Sequence, residues 1–108
     1  MAGGPAVLVT GAAGYVGRLC LKALAERRDE LSALVALDWT VTPSADRIDG
    51  VVYEQGDICD PALTSLCQNH RIDTVIHLAS IVRTPKGAPD DLAYRVDVLG
   101  TKNVLEAC

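Results

Sequence analysis

Residues 10–17 read Thr10-Gly11-Ala12-Ala13-Gly14-Tyr15-Val16-Gly17, and this turn limits the fold more than any other segment. It follows the apolar run Ala6-Val7-Leu8-Val9-Thr10 and opens a stretch of helical period. A short apolar run of this kind suits a strand buried on both faces. Without Cβ atoms, Gly11, Gly14 and Gly17 let the chain turn tightly and let backbone N–H groups approach a phosphate. They also let the helix pack closely on the sheet. The helix N-terminus adds free amide donors and a partial positive charge of roughly half a unit. A glycine turn between strand and helix is the context a dinucleotide pyrophosphate requires, so Gly11, Gly14, Tyr15, Val16 and Gly17 are the expected cradle.

The remaining pattern extends that unit. Val16, Leu19, Cys20, Ala23 and Leu24 recur at helical spacing and predict one apolar stripe on a helix of about four turns. Ala33-Leu34-Val35-Ala36-Leu37 is a second strand closed by Asp38, and Trp39 to Gly50 has loop composition. Val51-Val52-Tyr53 reads as a third strand. Asp60-Pro61 supplies an N-cap and an N1 proline for a helix ending near His70, with Leu63, Leu66 and Cys67 on one face. Thr74 to Ala79 makes a fourth strand. A loop through Arg83 to Gly87 then leads to a last helix from about Pro89, with Leu92, Val96 and Leu99 facing inward. Strands alternating with helices predict an α/β fold: a parallel sheet with right-handed crossovers, in the order 3-2-1-4.

Asp38 lies at the distance beyond the glycine turn where an acid bonds the adenosine ribose hydroxyls. Its charge would repel the 2′-phosphate of NADP, so the expected cofactor is NAD, with NADP disfavoured. Arg18, at the helix start, reads as an exposed helix arginine. The composition fits: 49% of residues are apolar and 4% aromatic, as buried parallel strands under helices demand. A net charge of −4 without a basic stripe argues against a nucleic-acid surface. Cys20, Cys59, Cys67 and Cys108 are widely spaced, with no metal-ligand pattern and no secretory signal, which suits reduced thiols in a cytoplasmic protein. No metal site is expected, and the apolar runs are too short to span a bilayer as a helix.

Taken together, these residues resemble the extended short-chain dehydrogenase/reductases of the NAD-dependent epimerase/dehydratase type. The family's TGxxGxxG is matched by Thr10 to Gly17, its strand-end acid by Asp38, its Gly-Asp-Ile by Gly56-Asp57-Ile58 and its His-Leu-Ala by His77-Leu78-Ala79. Its VxGTxNxLEA helix is matched by Val98 to Ala107, although Asp97 stands where the family usually carries Asn. The resemblance implies that residues 1–108 are the amino-terminal part of an NAD(P)-binding Rossmann domain, truncated after about four strands. It further implies that Asp57 accepts from the adenine amino group, that Ile58 packs on the ring, and that Leu78, Ala79 and Ser80 line the cleft at the strand end. His77, inside an apolar strand, reads as packed and hydrogen-bonded rather than catalytic. Arg83 and Lys86 read as solvated loop charges.

The family's catalytic Tyr-x-x-x-Lys pair is absent: Tyr15, Tyr53 and Tyr94 have no Lys four residues later, so no catalytic residue is assigned. The resemblance implies hydride transfer at a carbinol of a sugar nucleotide or related small molecule in the full-length form. Two other readings stay open: a module that binds NAD without chemistry, and a truncated product. In the truncated case, an open sheet edge and uncovered apolar surface predict self-association.

Overall fold

A computed structural model describes residues 4–79, 86–88 and 90–107. Its sheet has the order β3-β2-β1-β4, with every pairing parallel. The strands are β1 (Ala6–Thr10), β2 (Ala33–Asp38), β3 (Val52–Gln55) and β4 (Thr74–His77). The helices are α1 (Tyr15–Ala25), α2 (Ala62–Asn69), α3 (Leu92–Tyr94) and α4 (Thr101–Ala107), and a π-helical segment, Arg95–Gly100, joins the last two into one closing helix.

Alternation along the central strands sorts the core into two layers, because successive side chains of a strand point to opposite faces. Val7 and Val9 of β1 join Leu34 and Ala36 of β2 beneath Leu21 and Ala25 of α1. Leu8, Val35 and Leu37 face the other way, against Leu63 and Cys67 of α2 and Val96 and Val104 of the closing helix. At the start of α2, the Asp60 carboxylate accepts from the Ala62 N–H at 2.9 Å, while Pro61 has helical dihedrals. Asp60 and Pro61 therefore act as the cap and first-turn proline the sequence suggests.

Four expectations need correction. The third strand runs Val52–Gln55 instead of Val51–Tyr53. It is an edge strand, so polar residues suit it: Glu54 meets His70 at 2.8 Å, and Gln55 donates to the Trp39 carbonyl at 3.1 Å. The fourth strand ends at His77, two residues earlier than expected. On α1 the buried line is Gly17, Leu21 and Ala25, whereas Val16 and Leu19 are 60% and 53% exposed. Close packing selects this face, since a Cβ on Gly17 would lie 2.1 Å from the Gly11 carbonyl oxygen. On the closing helix the buried line is Val96, Gly100 and Val104, and Leu99 is exposed. Gly100 lies close against Ile58, whose Cδ1 a Cβ there would meet at 2.4 Å, and the inward face falls one residue beyond Leu99. Pro89, the expected start of that helix, lies outside the described residues.

Candidate functional site

The carboxyl ends of β1, β2 and β4 open into a cleft of about 340 Å³. Gly11 forms its floor with φ +68°, and a Cβ there would lie 2.7 Å from the Ala79 nitrogen. Only glycine fits this combination of left-handed backbone and close approach to the chain leaving β4. Beyond it, the first i→i−4 bond of α1 runs from Arg18 N–H to the Gly14 carbonyl at 2.9 Å. The amides of Tyr15, Val16 and Gly17 thus precede the helical ladder, as N-terminal donors do.

Asp38, at the end of β2, is held from both sides. Its Oδ2 accepts from the Ala13 N–H at 3.0 Å and its Oδ1 from the Thr40 N–H at 2.9 Å. Its backbone carbonyl also accepts from the Gly56 N–H at 3.0 Å. The carboxylate is thereby a brace between the glycine turn and the segment that leaves β2, with its remaining lone pairs at the cleft. Asp57 is exposed and caps its own turn, its Oδ1 accepting from the Cys59 N–H at 2.9 Å. Ile58 is buried and forms part of the cleft wall with Val96 of the closing helix.

Behind the floor lies a polar core. Thr10, fully buried, accepts through Oγ1 from the Leu78 and Ala79 N–H groups at 3.0 and 3.2 Å. The same oxygen lies 2.6 Å from His77 Nδ1, and His77 Nε2 lies 2.8 Å from Thr101 Oγ1. Burial holds the His77 imidazole below its ordinary pKa, with the Asp97 charge acting the other way. Among the described residues no cluster of His, Cys, Asp or Glu could hold a metal ion. None of their helices is long and apolar enough to cross a membrane.

The cleft brings together seven of the expected positions: Gly11, Gly14, Asp38, Asp57, Ile58, Leu78 and Ala79. Tyr15 and Val16 point their side chains to solvent, and Gly17 is buried under the turn, so these three contribute no lining surface. Ser80 and Arg83 lie outside the described residues, and Lys86 is exposed. Sequence reasoning missed Ala13, Leu37, Trp39, Thr40 and Val96 as lining residues, and it placed Gly56 in a matched motif without assigning it to the cleft. Three of these had a readable signal: Ala13 sits between two turn glycines, and Trp39 and Thr40 directly follow the strand-end acid. Val96 had none, because its place depends on how the closing helix packs.

Known proteins are similar to this chain in sequence and in fold. The NAD-dependent epimerase/dehydratase family model matches residues 7–108. D-erythronate dehydrogenase of Haemophilus influenzae is 33% identical over 94% of this chain and 33% of its own length. L-arabinose 1-dehydrogenase (NAD(P)(+)) of Haloferax volcanii is 37% identical over 94% of this chain and 35% of its own. The solved structure of Thermus thermophilus UDP-glucose 4-epimerase, a complex with NAD, superposes with a TM-score of 0.77 at 30% identity, covering 94% of this chain and 32% of that one. The chain therefore spans about a third of the length of the relatives it matches. With the family match running through nearly all of its residues, the chain belongs to the NAD-dependent epimerase/dehydratase family.

Proposed function

We propose that this chain is the cofactor-holding part of an NAD-dependent enzyme that moves a hydride at a carbinol carbon of a sugar, sugar acid or sugar nucleotide. The observation that carries the reading is Asp38, pinned by two backbone N–H groups at the rim of a glycine-floored cleft. A fixed acid there can accept from vicinal ribose hydroxyls and repels a 2′-phosphate, so NAD is preferred over NADP. The cleft lined by Gly11 and Gly14 offers the space a pyrophosphate needs, and the α1 amides of Tyr15, Val16 and Gly17 supply its donors. Asp57 and Ile58 receive the adenine, the first by accepting from its amino group and the second by packing on its face. Leu78 and Ala79, just past the end of β4, meet the cofactor. When bound, NAD supplies the hydride acceptor; the chain's own residues bind it, orient it and exclude water.

The substrate class rests on the relatives, whose names mention D-erythronate, L-arabinose and UDP-glucose. A carbinol is common to all three. Cytoplasmic placement is proposed on the thiols, since Cys20, Cys59 and Cys67 form no disulfide. Calorimetric titration with NAD and NADP tests the cofactor reading: NAD should saturate, NADP should bind more weakly, and Asp38→Ala should erase the difference. Equal binding of both cofactors by the wild type would refute the role of Asp38.

A second reading, self-association of this chain, is favoured by exposed apolar side chains on the closing helix. Val98, Leu99 and Leu105 are 48%, 43% and 72% exposed. Sedimentation over a range of concentrations tests it, with a monomer at every concentration as the refuting result.

A further inference from the structure

We propose that His77 is a positioning residue: a neutral imidazole with its proton on Nε2, joining Thr10 to Thr101 and so fixing the cleft-floor amides of Leu78 and Ala79 to the closing helix.

The proton positions follow from one end of the chain of bonds. Thr101 Oγ1 lies 2.8 Å from the Asp97 carbonyl oxygen, which can only accept, so the Thr101 hydroxyl proton is committed there. The same Oγ1, 2.8 Å from His77 Nε2, must then accept, and Nε2 must carry a proton. At the other end, Thr10 Oγ1 receives the Ala79 N–H and shares the Leu78 N–H with the Thr10 carbonyl, which lies 3.2 Å from the same nitrogen. Its own proton is left for His77 Nδ1, 2.6 Å away, which must be bare. Every donor meets an acceptor in this one neutral tautomer. The other tautomer would set an Nε2 lone pair against the Thr101 lone pairs. The imidazolium would aim an Nδ1 proton at the Thr10 hydroxyl and force that hydroxyl to give up its acceptor.

The arrangement spans the sheet and its covering layer. Thr10 and His77 are register partners in β1 and β4, and Thr101 opens α4 directly after the π-helical segment. Gly11 rests against the Leu78–Ala79 backbone, so a shift of those amides displaces the cleft floor. The charges near the ring are few. β1 has none, β4 has only His77 itself, and the closing helix brings Asp97, which favours the protonated form and is outweighed by burial. Arg95 and Lys102 of that helix pair with Asp91 and Glu106 at 3.4 and 3.9 Å, on exposed side chains.

The consequence for NAD rests on the function proposed above, whereas the tautomer and the amide positions do not. Nitrogen NMR of the His77 ring in the wild-type chain should show a protonated Nε2 and a bare Nδ1 at neutral pH. Thr101→Val should loosen that tautomer preference and shift the Leu78 and Ala79 amide resonances, while Thr101→Ser, which keeps the hydroxyl, should restore both. NAD affinity should fall about three- to tenfold in Thr101→Val, the worth of one hydrogen bond. In the wild type it should weaken as pH is lowered through the His77 titration, with a flatter profile in Thr101→Val. A protonated Nδ1 at neutral pH, or Leu78 and Ala79 amides unmoved in a folded Thr101→Val variant, would overturn the proposal. The expected tautomer and amide shifts without NAD binding at any pH would support the relay and refute the cofactor reading instead.

Discussion

Replacing Gly17 by Ala sets two effects of opposite sign against each other. Helix propensity alone favours the substitution by about 1 kcal/mol, because Gly17 lies inside α1. The packing opposes it. The new Cβ would lie 2.1 Å from the Gly11 carbonyl oxygen, 2.9 Å from Ala12 Cα and 3.0 Å from the Gly11 carbonyl carbon, all backbone atoms that cannot rotate away. Relief requires α1 to lift from the turn by about 1 Å, as overpacking of a tight contact does at a cost of roughly 1–3 kcal/mol. With backbone on both sides the upper end applies, so the net destabilisation is about 2 kcal/mol, or roughly 8–16 °C in Tm for a domain near this size. Thermal melts followed by circular dichroism measure it, with Ala23→Gly as the control. Ala23 is exposed on the same helix and should lose about 1 kcal/mol by propensity alone. NAD titration of the variant should show weakened binding, since the amides of Tyr15 and Val16 move with the helix. A Gly17→Ala protein as stable as the wild type would refute the claim that this glycine exists for close packing.

Three further outcomes are expected. Asp38→Ala removes the acceptor for the Ala13 and Thr40 N–H groups, and should cost about 1–2 kcal/mol in a denaturant melt besides erasing the NAD over NADP preference. Gly100→Ala drives a Cβ to 2.4 Å from Ile58 Cδ1 and 2.7 Å from its Cγ1, so it should destabilise by about 1 kcal/mol net of helix propensity and weaken NAD binding through Ile58; unchanged affinity would separate the two effects. Burial lowers the His77 pKa in the folded chain, so the unfolded chain takes up the proton first as pH falls. This group should therefore leave stability unchanged above about pH 6.5 and reduce it below that value. His77→Gln should flatten that part of the pH–stability curve.

The sheet was legible because its signals are local. β1 and β2 are continuous apolar runs, buried along nearly their whole length, and the glycine turn could only follow such a strand. Helix phase was not legible to the same degree. On α1 the apolar count pointed to Val16 and Leu19, but the buried face is set by Gly17, a residue with no hydrophobic side chain to count. The closing helix failed in a related way: Gly100 shares the inward face with Val96 and Val104, and the π-helical segment breaks the regular period just before α4. In both places a buried glycine sits against its neighbour, the Ile58 side chain at Gly100 and backbone at Gly17, and the backbone contact outranks the hydrophobic stripe. A helix can leave a leucine exposed at a cost of about 1.5–3 kcal/mol, but a backbone overlap at 2.1 Å has no cheap escape.

The same logic explains which site residues the sequence revealed. Asp38, Asp57 and the glycines act through strand ends and turns, where position in the chain fixes position in space. Val96 and Thr101 act from a helix that returns over the cleft from the far end of the chain, and neither carries a motif that announces its contact. His77 joins the two groups. It was legible as a packed, hydrogen-bonded strand histidine, yet its partner across the fold, Thr101, was visible only once α4 had been placed. The glycine turn is therefore braced twice, by Asp38 from the β2 side and by the Thr10–His77–Thr101 series from the β4 side. The first brace lines the cleft, where the proposed function has it meet the ribose. The second lies behind the cleft floor and reads the position of a helix. If both proposals hold, affinity at the turn depends on the closing helix as well as on the residues that would touch the dinucleotide.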